Sequence, residues 1–472
     1  MNRKYFIGIL ISTITLQGLT QTTMTLKQCV ETGIANNFDV QQRQLQAQSD
    51  EANWKQSKLN MFPDLNANAA HSFNQGRSID PFTNSPVTQS FNSSNYSVNS
   101  GVVLFNGLAI QNSIRQNSLT YQASKMDWQQ EKDNLTINII LAYLQVLSNT
   151  DQLVQAKNQS ALSDQQVKRL EVLNKEGAIK PSDLSDLKGQ YASDQLAIIS
   201  IENALQTSKV SLARLMNTAY NKDLVLEKIE PESFAARYGD TPDKIYETAL
   251  QQLAIVKAAD LRKQSAAKAI KVARGQLFPT LSFNGSAYTN YSSVAMQNQY
   301  INTTDKISND YVVVNGSQLP LVYKQDNFNV SKINYNDQLN NNLYTSFGFN
   351  LSIPIFNSLQ QRNRIKQAKI TYKSTELSAH TTRTQLSQAI DQAYINMNTA
   401  AERYKTIMEQ VNAYEESFRA AGIRFNSGVG NSIDYLTAKN NLDDANINLI
   451  IAKYDYVLRT KILDYYQGKQ LW

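Results

Sequence analysis

Apolar residues recur at steps of three and four over a long stretch of this chain. Positions 108–176 contain neither glycine nor proline, and a helix of that length extends roughly 100 Å. The apolar positions in these steps are Leu135, Ile139, Ala142, Val146, Leu153, Ala156, Val167 and Leu170. A second apolar line runs through Ile137, Leu141 and Leu144. The spacing predicts a coiled-coil helix that packs on two sides.

The same pattern returns at 358–426, where the only glycine, Gly422, lies near the end. Both long helices stop at glycine-containing turns, around Gly177 and Gly428. Shorter return helices are predicted at 182–216 and 432–467. Helices at about 24–60 and 241–276 precede the two long ones and have the lengths needed to complete their packing. The sequence therefore predicts long antiparallel coiled coils.

Period-two alternation separates each early helix from the long helix that follows it, and predicts β-hairpins at 64–106 and 280–356. Apolar Leu65, Ala67 and Phe73 alternate with small polar residues, as do Phe349 and Leu351 in the second hairpin. Segments of about ten residues with one apolar and one polar face suit a transmembrane β-barrel. A soluble hairpin lying on a core has the same alternation. The hairpin tips, at about 76–93 and 293–341, are predicted to be polar extracellular loops.

Four strands cannot close a barrel, and unpaired strand edges in lipid cost several kcal/mol per group. The pattern therefore predicts an oligomer. Two chains would supply eight strands and three would supply twelve.

The two halves are tandem copies of one unit. Met61-Phe62-Pro63-Asp64-Leu65 returns as Leu277-Phe278-Pro279-Thr280-Leu281, at an offset of 216 residues. Leu104-Phe105-Asn106-Gly107 returns as Ile355-Phe356-Asn357-Ser358, at an offset of 251 that also relates Gly177 to Gly428 and Asp183 to Asp434. A unit of this length is too long for a solenoid repeat. The duplication predicts two similar structural halves, at 21–216 and 241–472, joined by a segment at 217–240.

Composition adds an export signal and a weakly charged, polar surface. Residues 1–20 combine Arg3 and Lys4 with an apolar stretch and a small-residue cleavage site, which predicts a signal peptide. Only 18% of residues are charged, and the formal charge of +6 is scattered, so nucleic-acid binding is not predicted. Cys29, His71 and His380 form no cluster with metal-ligand spacing, and no common catalytic motif is present. We expect neither an enzyme nor a bound metal or cofactor.

The turn after the second long helix carries the most specific motif. Arg424-Phe425-x-x-Gly428, then Asp434-x-Leu436-x-Ala438, resembles the periplasmic-tip signature of the TolC family of outer-membrane efflux channels. Gly177 with Asp183-Leu184 is a weaker counterpart in the first copy, and the Phe-Pro and Phe-Asn motifs are also similar to family members. The resemblance covers essentially the whole chain after the signal peptide.

The resemblance implies a mainly α fold with a transmembrane β part, arranged as a homotrimer. Four strands per chain would build a 12-stranded β-barrel in the outer membrane, and the helices an α-barrel that extends into the periplasm. The tip would dock a periplasmic adaptor bound to an inner-membrane pump, for efflux or type I secretion. The residues implied in docking are Gly177, Leu184, Arg424, Phe425, Gly428, Leu436 and Ala438.

The resemblance also implies a periplasmic gate at Asp183 and Asp434. The usual partners of the first aspartate are replaced here, because Gly430 and Phe425 stand where relatives carry arginine and tyrosine. Both aspartates can equally be first-turn acids favoured by the helix dipole. For the whole chain, the alternative to a channel is a periplasm-spanning scaffold or surface adhesin.

Overall fold

The structure is a computed structural model and describes residues 23–79, 84–88, 90–229, 239–469 and 471. The predicted signal peptide at 1–20 lies outside these residues. The chain forms two compact units. One contains the described parts of Met1–Glu51, Leu119–Gln264 and Lys373–Trp472, and the other contains those of Ala52–Ser118 and Ser265–Tyr372.

Helices account for most of the chain. In order they are α1 (Leu26–Asn36), α2 (Phe38–Leu59), α3 (Ala109–Lys175), α4 (Pro181–Met216), α5 (Pro242–Gln252), α6 (Ala254–Gly275), α7 (Tyr335–Asn341), α8 (Gln360–Asn426) and α9 (Ser432–Tyr466). The two long helices, α3 and α8, each contain 67 residues.

The prediction of one continuous helix before each hairpin is wrong in both copies. Asn37 and Leu253, which the 216-residue offset relates, are extended and divide each helix into segments of 11 and 22 residues. The Asn37 side-chain oxygen accepts from the backbone N–H of Asp39 at 2.9 Å and so caps α2. Leu253 has no polar side chain and is instead buried in an apolar cluster. Local capping in one copy and burial in the other therefore produce the same break.

The predicted coiled-coil seam of α3 supplies much of one buried cluster of the first unit. Leu135, Ile139 and Val146 are buried in one cluster with residues of α1 and α4. Tyr143 lies in the same cluster, and its hydroxyl donates to the carbonyl of Glu227 at 2.7 Å, which ties down part of the segment between the copies. Leu141, on the second predicted apolar line, is exposed.

The second unit contains a four-stranded antiparallel sheet. Its strands are β1 (Asn66–Asn74), β4 (Phe91–Phe105), β5 (Thr280–Ser292) and β8 (Tyr344–Ser352), in the order β1-β4-β5-β8. The short strands β2 (Arg77–Ile79) and β3 (Pro86–Thr88) pair with each other. The hairpins of the two copies thus join at their longer strands, and the nine-residue strands β1 and β8 form the sheet edges.

The register keeps like residues on like faces. Asn66, Asn99, Ser286 and Ser346 lie in one row across all four strands. The rows of the opposite face include Phe283 beside Phe349, whose ring centroids are 5.1 Å apart. Because side chains alternate between faces along a strand, one face is small and polar and the other is apolar. The predicted alternation is therefore present across the whole sheet.

The Phe-Asn motifs form the same strand-to-helix turn in both copies. Gly107 and Leu108 have φ of 65° and 62°, and their counterparts Ser358 and Leu359 have 54° and 61°. In the first copy, an added Cβ on Gly107 would lie 2.3 Å from the carbonyl oxygen of Gly275 at the end of α6. Glycine at 107 thus serves both the left-handed backbone and the close approach of α6.

The segment at 293–341, predicted as a polar extracellular loop of undefined internal structure, is regularly structured. It forms an antiparallel hairpin of β6 (Met296–Val314) and β7 (Ser317–Lys332), followed by α7. Asn315 and Gly316 at its tip both have positive φ, as an Asn-Gly hairpin turn requires. The buried Gln338 of α7 donates to the carbonyl of Ser292 and accepts from its N–H. This pair of hydrogen bonds fixes the base of the hairpin to Ser292, the last residue of β5.

Candidate functional site

The tip turns after α3 and α8 have the same backbone structure. Gly177 and Gly428 adopt φ of 67° and 75°, in the left-handed region that favours glycine. The following residue in each turn donates its N–H five residues back, from Ala178 to Leu173 at 2.9 Å and from Val429 to the carbonyl of Arg424 at 3.0 Å. These are Schellman helix ends. A Cβ on either glycine would meet nothing within 4 Å, so backbone conformation alone explains the glycines.

Tyr435 is the centre of an aromatic cluster behind the turns. Its ring stacks on Phe425, with centroids 5.0 Å apart, and lies 5.4 Å from the ring of Phe418. Burial raises the pKa of its hydroxyl to about 12. Leu184 and Leu436 pack against the same buried cluster, and these contacts bring helices of both copies together.

Asp183 lies in the first turn of α4 and faces the start of α9. The hydroxyl oxygen of Ser432 is 2.9 Å from Oδ1 of Asp183 and 2.9 Å from Oδ2 of Asp186. One hydroxyl hydrogen is therefore shared between two carboxylates of the first copy. Ser432 thus links the first turn of α9 to two carboxylates of α4, a contact that was not predicted from the sequence.

Asp434 does not join this contact. Its side chain is exposed, and its backbone N–H donates to Oδ1 of Asn431 at 2.7 Å. Asn431 is thus the N-cap of α9, and Asp434 occupies the first turn. This arrangement fits both a charge that projects into solvent and an acid placed to favour the helix dipole.

The other predicted tip residues have different environments. Ala438 is buried, whereas the side chain of Arg424 is exposed. The carbonyl of Arg424 accepts from the N–H groups of Val429 and Gly430. A Cβ on Gly430 would lie 3.1 Å from the backbone nitrogen of Phe425, which makes this glycine a packing residue of the turn. The backbone of Arg424 therefore shapes the turn, and its side chain is available for contacts.

A second link between the copies was not predicted. The guanidinium of Arg169, near the end of α3, donates to the side-chain oxygen of Asn426, and also to its carbonyl at 3.3 Å. Asn426 is the last residue of α8. The ends of the two long helices are thereby joined by polar contacts.

A buried ionic cluster lies on α3, α4 and α9. The ammonium of Lys439 is 3.1 Å from Asp194 and 2.6 Å from Asp443, and the lysine is only 1% exposed. Asp194 also accepts from the hydroxyl of Ser163 at 2.5 Å and the amide of Gln190 at 2.8 Å. Burial raises the pKa of Asp443, although the neighbouring Lys439 acts in the opposite direction. The 251-residue offset relates Lys439 to Lys188, which is exposed and pairs with Glu171, so the two copies differ here.

An open groove of about 550 Å³ lies along the sheet. Its polar lining includes Asn66, Asn99, Asn284 and Asn350. The carboxylate of Asp64 accepts from the N–H of Gly101 at 2.7 Å and from the amide of Asn66 at 2.9 Å. The groove is thus lined by amide, hydroxyl and carboxylate groups together with the side chains of Phe347 and Phe349.

Within the part of the chain that the structure describes, no three His, Cys, Asp or Glu residues are arranged to hold a metal ion. None of the described helices combines the length and apolarity needed to cross a bilayer.

Comparison with known proteins gives a family match over most of the chain. The family model described as outer membrane efflux protein matches residues 30–218 and 245–464, one match in each copy. Outer membrane protein TolC of Vibrio cholerae serotype O1 is 23% identical over 328 residues, which cover 69% of this chain and 66% of that protein. TolC of Salmonella enteritidis is 20% identical over 345 residues, covering 72% and 62% of the two chains. The matched parts thus span slightly less than two thirds of these relatives.

The fold is similar to solved structures along nearly its whole length. The outer membrane protein VceC from Vibrio cholerae aligns with a TM-score of 0.72 at 14% identity, over 95% of this chain and 97% of that one. The Campylobacter jejuni CmeC outer membrane channel aligns with a TM-score of 0.73 at 15% identity, over 94% and 85%. At such identities the likeness establishes the fold.

Proposed function

We propose that this chain, which belongs to the outer membrane efflux protein family, is the outer-membrane channel of a tripartite efflux or type I secretion system. In this proposal the protein is a passive exit duct, with its sheet in the outer membrane and its helices in the periplasm. It carries out no catalysis, because transport is driven by the partner pump. A scaffold or adhesin is the weaker alternative, since neither requires a sheet with one polar and one apolar face.

The observation that carries the proposal is the sheet with two open edges. Among the described residues, strands β1 and β8 each have one side that pairs with no other strand in the order β1-β4-β5-β8, and each contains nine residues. Pairing β8 of one copy with β1 of the next would close a barrel without exposed edges, as lipid demands. The polar face would then line the lumen, and the apolar face would meet lipid.

Three copies are the stoichiometry that we infer, following the family resemblance. A homotrimer would contain 12 strands around the lumen. Native mass spectrometry in mild detergent tests this directly. A mass of three chains is expected; a folded monomer would contradict barrel closure, and a dimer would contradict the twelve-stranded arrangement.

The tip is proposed to dock a periplasmic adaptor that belongs to an inner-membrane pump complex. Support comes from the tight turns at Gly177 and Gly428 and from the exposed Arg424 side chain beside the second turn. Leu184, Phe425, Leu436 and Ala438 would act indirectly, because they pack behind the turns and keep their shape.

Asp183 and Asp434 are proposed to line the periplasmic opening. Three chains would bring six carboxylates together, and their field would favour cations over anions. Asp434→Asn removes the charge while preserving size and helix-start hydrogen bonding. Reversal potentials across a salt gradient should therefore show weaker cation preference for Asp434→Asn, whereas Thr437→Asn on the same helix should behave as the wild type. Unchanged selectivity combined with lower thermal stability would assign Asp434 to the helix dipole instead.

A further inference from the structure

The helical ends that adjoin the sheet have an unusual charge distribution. Four segments of the second unit connect directly to its strands: 52–63, 106–118, 265–279 and 357–372. Together they contain ten lysines and arginines and no aspartate or glutamate. The other 36 basic residues share the chain with all 40 acidic residues. The basic residues are therefore not evenly scattered, as the sequence analysis expected, because the basic excess of the whole protein is confined to these four segments, which we name the basic collar.

The collar residues are arranged as stripes on the helices. Arg362, Lys366 and Lys369 are spaced by four and three positions at the start of α8, and all three are exposed. Such residues lie on one helix face, where like charges repel each other by a few tenths of a kcal/mol per pair. Lys268, Lys271 and Arg274 form a similar stripe near the end of α6. A helix has no stability reason to keep such stripes without interleaved acids, so the pattern points to an anionic ligand.

Along the chain, an apolar girdle lies between the basic residues of the collar and the strands. Each of the four junctions exposes large apolar side chains, among them Phe62, Leu108, Phe278, Ile355 and Phe356. Ile355 and Phe356 are 93% and 79% exposed. Apolar strand faces, an apolar girdle and then a basic zone follow one another along the chain at all four junctions. This order matches the change from hydrocarbon to headgroup across one leaflet of a bilayer.

A contact between a lysine and a tryptophan in the collar is also typical of a membrane interface. The ammonium of Lys58, in the last turn of α2, lies 3.5 Å from the centre of the Trp54 ring. Tryptophan rings suit the boundary between apolar and aqueous phases, and lysine stems extend along apolar surface while the charged end reaches water or phosphate.

We propose that the basic collar binds the headgroups of acidic phospholipids in the periplasmic leaflet. The ligand class is a phosphodiester anion on a lipid, held by several lysines and arginines together. This inference rests on the proposed membrane position of the sheet and adds a lipid preference to it. Each basic residue near an anionic surface contributes enough for about a fivefold change in affinity, so removing two should reduce binding roughly 30-fold.

The test uses the assembled full-length protein in mild detergent, titrated with phosphatidylglycerol or phosphatidylcholine and followed by native mass spectrometry. The wild type should prefer phosphatidylglycerol, and the preference should weaken as salt is added. The double variant Lys366→Gln/Lys369→Gln should bind phosphatidylglycerol roughly 30-fold more weakly than the wild type. Arg403→Gln/Lys405→Gln removes two exposed charges from α8 outside the collar and should leave lipid binding unchanged.

Three results would overturn the proposal. Equal affinity of the wild type for the two lipids would show that the collar does not select acidic headgroups. A collar variant with normal lipid binding but altered ion selectivity in a bilayer would place the charges in the lumen. Inorganic phosphate should not compete at millimolar concentration if the ligand is a lipid, and effective competition would assign the site to free anions. Conductance of the same variants distinguishes a failure of this proposal from a failure of the proposed channel function. A protein that conducts ions but shows no lipid preference would contradict lipid binding by the collar and leave the channel function intact.

Discussion

Replacing Lys439 with methionine tests the buried ionic cluster most severely. The substitution keeps the length of the side chain but leaves Asp194 and Asp443 without the cation that lies 3.1 Å and 2.6 Å from them. Breaking a buried pair by removing one partner costs about 3–5 kcal/mol, because a charge remains in a site of low polarity. The bonds from Ser163 and Gln190 to Asp194 remain and place the expected loss toward the lower end of that range.

The duplication supplies a matched control. Lys188 occupies the equivalent position in the first copy, but it and Glu171 are about half exposed. Solvent screening makes such a pair nearly neutral for stability. Guanidinium unfolding followed by circular dichroism should therefore show a large loss for Lys439→Met and no measurable change for Lys188→Met. Equal losses of stability for the two substitutions would show that burial of the Lys439 cluster does not set the cost.

The loss of stability in Lys439→Met should also depend on pH. Burial raises the pKa of Asp443 in the folded protein above its value in the unfolded chain, and losing Lys439 raises it further. The folded state then binds the proton more tightly, so this group favours folding below the unfolded pKa and loses that contribution as pH rises through the folded pKa. The deficit of Lys439→Met should consequently be smaller at pH 5 than at pH 7.5. A deficit that grows as the pH is lowered would contradict this sign.

Two further substitutions test the sheet and the junction. Leu351→Arg places a charge on the apolar face of β8 and should cost about 2–4 kcal/mol near the middle of a bilayer. Asn350→Arg, on the polar face, should still assemble. Equal assembly defects of the two variants on native gels would show that the faces are assigned wrongly. Gly107→Ala should lower the stability of the protein by about 1–3 kcal/mol in thermal unfolding, because the new Cβ would lie 2.3 Å from the carbonyl oxygen of Gly275. A variant as stable as the wild type would contradict this close approach.

The long helices and the sheet could be predicted because their periodicity is sustained. Many apolar positions at steps of three and four specify α3, and strict alternation specifies the strand faces. The helix breaks at Asn37 and Leu253 carry no such signal. Leucine at 253 favours a helix by itself, and its extended backbone depends on burial in tertiary contacts that no local pattern records.

The long hairpin illustrates a signal that was present and missed. Asn315-Gly316 is a strong hairpin turn, and the apolar runs on both sides of it are strand-like. A length of 49 residues between the predicted strands should itself have indicated structure, because long irregular loops are uncommon in compact domains.

At the tip, the sequence identified the residues that shape the turns but not those that connect the copies. Glycine at a helix end has a local meaning, so Gly177 and Gly428 were predictable. Nothing in the local sequence distinguishes Ser432 and Lys439 from surface residues. Their partners Asp183 and Asp194 are more than 240 residues away along the chain and come beside them only in the folded protein.

In the proposed function, the assembled protein is an open-ended duct through a membrane. Purified protein should be added to a planar lipid bilayer under voltage while the current is recorded. We expect discrete current steps of uniform size, each from the insertion of one assembled channel. Stable association with the bilayer in the absence of any current steps would contradict the channel and favour a scaffold or adhesin.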